Sequence, residues 1–154
     1  MKDRLVAILV TKGLLNKDLI ESVQLYMDKW KVSSYTTLLE TNMISESNLA
    51  DCLAELLKVE RIFSIDQDDI GEQAFEFLSY RDSHTWATFP LGVQDLASEY
   101  QVVMADPTNE QVIDNIRKMV PNPLRILVGE SKIVKKAIND FYPVEMQIPN
   151  LLVE

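Results

Sequence analysis

The chain has 154 residues, 47% hydrophobic and 25% charged, an ordinary globular balance that excludes disordered and fibrous classes and suffices for one domain or two small subdomains. Acidic residues outnumber basic ones 24 to 15, and a formal net charge of -9 repels phosphate backbones and anionic headgroups, so neither nucleic acid nor direct membrane insertion is expected. A single cysteine and a single histidine exclude an intrachain disulfide and a Cys/His zinc site, and no metal or cofactor is expected.

The first apolar run, Leu5 to Val10, is far shorter than the roughly 18 residues of a membrane span. Lys2, Asp3 and Arg4 before it resemble a secretory start, but Thr11-Lys12-Gly13 interrupts the run with no small-residue cleavage pattern. A cytoplasmic protein is expected. Residues 1–57 contain one glycine, no proline and only helical periodicity, and they carry a repeat with an offset of 29. Leu9 matches Leu38, Gly13 matches Asn42, Leu14-Leu15 matches Met43-Ile44, Asn16 matches Ser45, and Val23 matches Cys52. Gly13 and Asn42 suit the left-handed conformation that stops a helix, and Asn16 and Ser45 suit the cap of the next one. Each repeat therefore predicts a helical hairpin, and two hairpins are needed to bury the apolar faces. Trp30 reads as a core or boundary residue at a helix end, and Cys52 as a buried small hydrophobe.

From residue 58 onward strand and helix patterns alternate, and all six prolines fall there. The spacing predicts a strand over Val59–Ile65, a short helix over Ala74–Leu78, and a hairpin of Thr85–Val93 and Tyr100–Met104 turning through Gln94–Glu99. Asp106-Pro107 opens a helix with its stripe at Val112, Ile113, Ile116, Met119 and Val120, stopped by Pro121 and Pro123. A strand over Leu124–Val128 follows, then a last helix capped by Ser131, with its stripe at Ile133, Val134, Ala137, Ile138 and Phe141. Residues 143–154 read as a tail docked in part through Ile148, Leu151 and Leu152. The expected fold is α+β: a pair of helical hairpins (1–57), then a small mixed sheet with helices packed on one face (58–142).

No catalytic constellation emerges. Gly129-Glu130-Ser131-Lys132 lacks the second glycine and the order of a phosphate loop. Asp66-Gln67-Asp68-Asp69-Ile70-Gly71 starts like a calcium loop, but Ile70 and Phe77 stand where oxygen ligands are required, so it reads as a solvated acidic loop. His84, with Asp82, Ser83 and Thr85, reads as a surface residue of a polar loop before a strand, and Trp86 as a strand residue. A non-enzyme is expected, with a hydrolase using His84 or the 66–69 carboxylates as the outside alternative.

The two helical hairpins, the strand ending in Met104-Ala105-Asp106-Pro107 and the helix closing on Phe141-Tyr142 resemble the N-terminal domain of type II secretion and type IV pilus assembly ATPases. The resemblance covers about residues 3–142. It implies a non-catalytic interaction and regulatory domain that docks on the cytoplasmic part of an inner-membrane platform protein, or on the ATPase assembly, and lies at the inner membrane only through that partner. With no glycine- or serine-rich linker after Tyr142, a stand-alone protein or a closely trimmed domain is expected. One branch of the family, the MshEN domains, binds cyclic di-GMP through two copies of a motif beginning Arg-Leu-Gly and ending in Gln. Carried over, the first copy keeps Arg4, Leu5, Gly13 and Leu14, while Val6 and Met27 replace the expected glycine and glutamine. The second copy has Ser33-Ser34-Tyr35, Asn42 and Leu56 at the matching positions. One arginine on an acidic chain argues against cyclic di-GMP, and a degenerate sensor is the alternative function.

Overall fold

Among the described residues, six α-helices start on a side chain that accepts from a free N–H group, and four stop on a residue in the left-handed conformation. A computed structural model describes residues 3–94 and 98–148. The chain divides into two compact units, Met1–Lys58 and Val59–Glu154.

The first unit contains α1 (Arg4–Thr11), α2 (Lys17–Trp30), α3 (Ser34–Thr41) and α4 (Glu46–Leu57). Asp3 caps α1, and the repeat-related Asn16 and Ser45 accept from Leu19 N–H at 3.0 Å and Asn48 N–H at 3.1 Å. Gly13 and Asn42 take positive φ of 75° and 56°. Equivalent positions are buried alike: Leu9 and Leu38, Leu15 and Ile44, Val23 and Cys52. α1 packs on α4 and α3, and α2 on α3, so the apolar faces of one hairpin are closed by the other. Trp30 departs from expectation. It is 56% exposed, with Lys29 Nζ 5.1 Å from its ring centroid and Tyr26 beside it.

The second unit holds α5 (Tyr80–Trp86), β1 (Thr88–Val93), β2 (Tyr100–Met104), α6 (Glu110–Met119), β3 (Leu124–Val128), α7 (Ser131–Phe141) and α8 (Val144–Gln147). β1 pairs antiparallel with β2, and β2 parallel with β3, so Phe89, Val103 and Leu127 line up across the mixed sheet. A parallel pair requires a crossover, which α6 supplies. The α+β class holds, with helices packed around the sheet. Val112, Ile113 and Ile116 of α6, with Val120 just after it, cluster with Tyr100, Val102 and Met104 of β2. α7 packs on β1 and β2 from the side of Phe89, whose ring meets Phe141 at 6.2 Å. Both faces are covered rather than one, because successive β2 residues, Val102 and Val103, point to opposite faces and are equally buried.

Several local expectations need correction. Val59–Ile65 makes a single parallel bridge to the end of β3, not a strand: Ile62 N–H donates to Val128 O and Val128 N–H to Glu60 O. Its alternation is broken by Arg61, which turns inward to Glu130, and by Phe63, which stays exposed. Ala74–Leu78 is a turn, since Gln73 at φ 62° breaks the helical path while Ala74 and Leu78 are buried. Thr85 and Trp86 belong to α5, capped by Ser79 and ended by Ala87 at φ 46°, so β1 begins at Thr88. Ser131 is the first residue of α7 and Glu130 holds the cap position. α7 is not the last helix, for α8 follows, and Ile148 is 46% exposed rather than docked. Residues 95–97 of the expected Gln94–Glu99 turn, and Leu151 and Leu152, lie outside the described residues.

Candidate functional site

The four residues carried over from the dinucleotide motif all sit on or beside α1. Asp3 Oδ1 accepts from Leu5 N–H at 2.9 Å and Val6 N–H at 3.1 Å, which starts the helix and leaves Arg4 exposed at its first turn. Leu5 is 2% exposed and belongs to the core. Gly13 follows the other end of α1, with open space where a side chain would be, so only its positive φ calls for glycine there. Leu14 is half-buried and its N–H donates to Leu9 O at 2.9 Å. Arg4 and Gly13 are therefore separated by the length of α1, about 13 Å at a 1.5 Å rise per residue. The structure brings Arg4 to Leu5 and Gly13 to Leu14, but not the two pairs to one point.

The charge is unevenly divided. Residues 1–58 carry seven basic and eight acidic side chains, whereas residues 59–154 carry eight and sixteen. Almost all the excess negative charge therefore lies in the second unit, away in sequence from Arg4.

Residues singled out in the second unit have structural partners. Asp106 in Met104-Ala105-Asp106-Pro107 accepts from the N–H of Thr108 at 3.1 Å and from its hydroxyl, fixing the exit from β2. His84 lies in α5 instead of a loop, its Nε2 2.9 Å from Asn139 Oδ1, which also accepts from the Tyr80 hydroxyl at 2.8 Å. Tyr142 donates to Leu78 O at 2.7 Å, so Ser83 Oγ, 2.6 Å away, donates to Tyr142. Burial pushes the Tyr142 phenol well above its ordinary range, against the lowering effect of the Ser83 bond. Tyr100 is raised likewise, first by burial and then by the neighbouring Tyr142, and it donates to Ala74 O. Burial also raises the Cys52 thiol, opposite to what a reactive thiolate needs. Among the described residues no group of three or more His, Cys, Asp or Glu side chains could hold a metal.

Two features escaped sequence reasoning. The first is the buried pair Arg61–Glu130, 2.9 Å apart, with side chains 6% and 12% exposed. The second is a groove of about 240 Å³ between residues 63–66 and α7, lined by Phe63, Ile65, Ile133 and Phe141 with Asp66 and Asp140 at its polar edge. The one available signal was a charged residue, Arg61, two positions before Phe63 on what would be the apolar face of an alternating segment.

Residues 57–148 match the MshEN domain. No curated protein matches. Among solved structures, the N-terminal domain of XpsE shares 22% identity and superposes with a TM-score of 0.75 over 93% of this chain and 100% of that one. A second crystal form of that domain gives 0.60 at 22% identity, over 92% of this chain and all of that one. MshE solved with cdg gives 0.72 at 17% identity, again over 92% of this chain and all of that one. The exclusion of cyclic di-GMP by charge is not borne out: a structural relative was solved with cdg, and the unit that holds Arg4 is nearly neutral. No helix among the described residues is long and apolar enough to cross a membrane. With three-fifths of its length matched and more than nine-tenths of it sharing the fold of the MshE and XpsE structures, the chain belongs to the MshEN domain family, of the kind found at the N-terminus of secretion and pilus-assembly ATPases.

Proposed function

We propose that the chain is a non-catalytic interaction and regulatory domain, cytoplasmic in location, that docks on the cytoplasmic part of an inner-membrane platform protein of a secretion or pilus-assembly machine. Residues 1–57 and 58–142 are its two working parts and 143–154 its tail. The observation that supports this reading most is the match to the whole of the XpsE N-terminal domain. Titration with the purified cytoplasmic domain of the cognate platform protein tests it. Saturable binding at one-to-one stoichiometry is expected, and no binding at high micromolar concentration would refute it.

A second reading, a degenerate cyclic di-GMP sensor, is favoured by the MshE structure with cdg and by the exposed Arg4 on a nearly neutral unit. Arg4 would meet a phosphate, and Gly13 would permit the close backbone approach such a ligand needs. Calorimetry with cyclic di-GMP is expected to give heat that Arg4→Ala abolishes. An unchanged Arg4→Ala isotherm would remove Arg4 from the site.

A further inference from the structure

The groove between residues 63–66 and α7 lies wholly within the second unit. Its volume of about 240 Å³ is below the roughly 300–1,000 Å³ of pockets for drug-sized ligands, and suits one or two apolar side chains. Phe63 forms one lip and is 68% exposed, unusual for a ring its size. It is nevertheless held in place: the Arg61 guanidinium stacks on it 4.2 Å from the ring centroid, and Arg61 is in turn tied to Glu130. The lip is an apolar surface, stacked on Arg61, that faces water.

Charge decides what covers it. Asp66 and Asp140 stand at the groove edge, and Asp68 and Asp69 follow in the exposed 3-10 turn Gln67–Asp69. The one lysine in the lining, Lys136, pairs with Asp140 within α7, so those two cancel and the acidic character of the groove comes from Asp66 with Asp68 and Asp69 beside it. The whole unit has twice as many acidic as basic side chains, so a cationic partner is drawn in from a distance and an anionic membrane is repelled.

We propose that this groove docks a basic amphipathic polypeptide segment, with an aliphatic or aromatic side chain between Phe63, Ile133 and Phe141 and lysine or arginine side chains toward Asp66 and Asp68. The assignment rests on the docking reading above and specifies its surface and chemistry.

The probe is a synthetic peptide of alternating leucine and lysine, with the leucine–glutamate peptide of the same pattern as its counterpart. Binding is followed by fluorescence anisotropy on the full chain and by amide shifts in NMR spectra. The lysine peptide is expected to bind and to shift Phe63, Ile133 and Phe141, and the glutamate peptide to leave them unmoved. Joint Asp66→Asn and Asp68→Asn substitution should weaken binding about ten-fold, and so should Phe63→Ser, whereas the charge-matched pair Glu110→Gln and Asp114→Asn on α6 should change it less than about two-fold. Equal weakening by the α6 pair would show only long-range attraction and overturn the groove, as would shifts elsewhere, unchanged binding in the groove variants, or tighter binding to anionic vesicles than to the peptide. The platform-domain titration separates the two readings. If that domain binds wild type and groove variants equally, docking stands and the groove falls. If the peptide binds at the groove while the platform domain does not bind, the groove stands without that partner.

Discussion

Gly13 and Gly92 both have positive φ, 75° and 78°, yet they carry different weight. Beside Gly13 a Cβ meets open space, so Gly13→Ala is expected to cost only the left-handed conformation, about 1 kcal/mol. At Gly92 a Cβ would fall on Glu72 O and within 2.9 Å of Ala74 backbone, where the Glu72–Val93 bridge meets the edge of β1, so Gly92→Ala should cost more than about 3 kcal/mol. Urea unfolding midpoints of the two variants check the contrast, and equal values would refute it. Tyr142 is the other decisive residue. Removing its hydroxyl leaves Leu78 O without its donor and Ser83 without its acceptor inside the core, a loss of about 1–3 kcal/mol for Tyr142→Phe. The sign of its pH effect follows from burial. The folded state keeps the phenol protonated above the pH, about 10, at which the unfolded chain releases the proton. Stability is therefore complete below about pH 10 and falls as pH rises beyond it. Tyr142→Phe should flatten that alkaline decline in stability measured against pH, although Tyr100, raised for the same reason, preserves part of it.

Elements were legible where their start, stop and period agreed. Asn16 and Ser45 were readable as caps, and Tyr100–Met104 and Leu124–Val128 as strands, because each run is apolar and bounded by turn residues. Asn16→Ala and Ser45→Ala should each lose about 1 kcal/mol, nearly equally, since they cap repeat-related helices on the same pattern. Thermal melts check this, and a difference well over 1 kcal/mol would break the equivalence of the repeats. The illegible elements share a cause: their pattern was set by contacts distant in sequence. α5 is polar along its length and is a helix because Ser83 faces Tyr142 while Tyr80 and His84 face Asn139, more than fifty residues away. Val59–Ile65 alternates like a strand but yields its inward position to Arg61, whose partner Glu130 is far along the chain. Arg61→Met alone should cost about 3–5 kcal/mol by taking the buried partner from Glu130 and leaving it only the exposed Lys132 at 3.5 Å, and adding Glu130→Gln should recover much of the loss. A double-mutant cycle with no coupling would refute that account.

At the scale of the molecule, the net charge of -9 is an average over two unlike halves, and the average misled. It argued against an anionic ligand at Arg4, although the unit around Arg4 is within one charge of neutral and the excess lies beyond residue 58. Nothing in composition alone could show this. It became visible once the hairpin repeat and the sheet separated as compact units and each could be counted by itself. The partition makes the two candidate interactions separable by salt. Steering scales with the product of the charges, and the Debye length shrinks from about 10 Å at 0.1 M to about 3 Å at 1 M ionic strength. A basic segment approaching the second unit should therefore lose association rate by about ten-fold or more across that range. Cyclic di-GMP approaching the first unit meets little net field, and its rate should change by less than about three-fold. Stopped-flow measurements at several salt concentrations distinguish the cases. Parallel salt slopes for the two ligands would mean that the field of the whole chain, rather than of each unit, governs what this domain attracts.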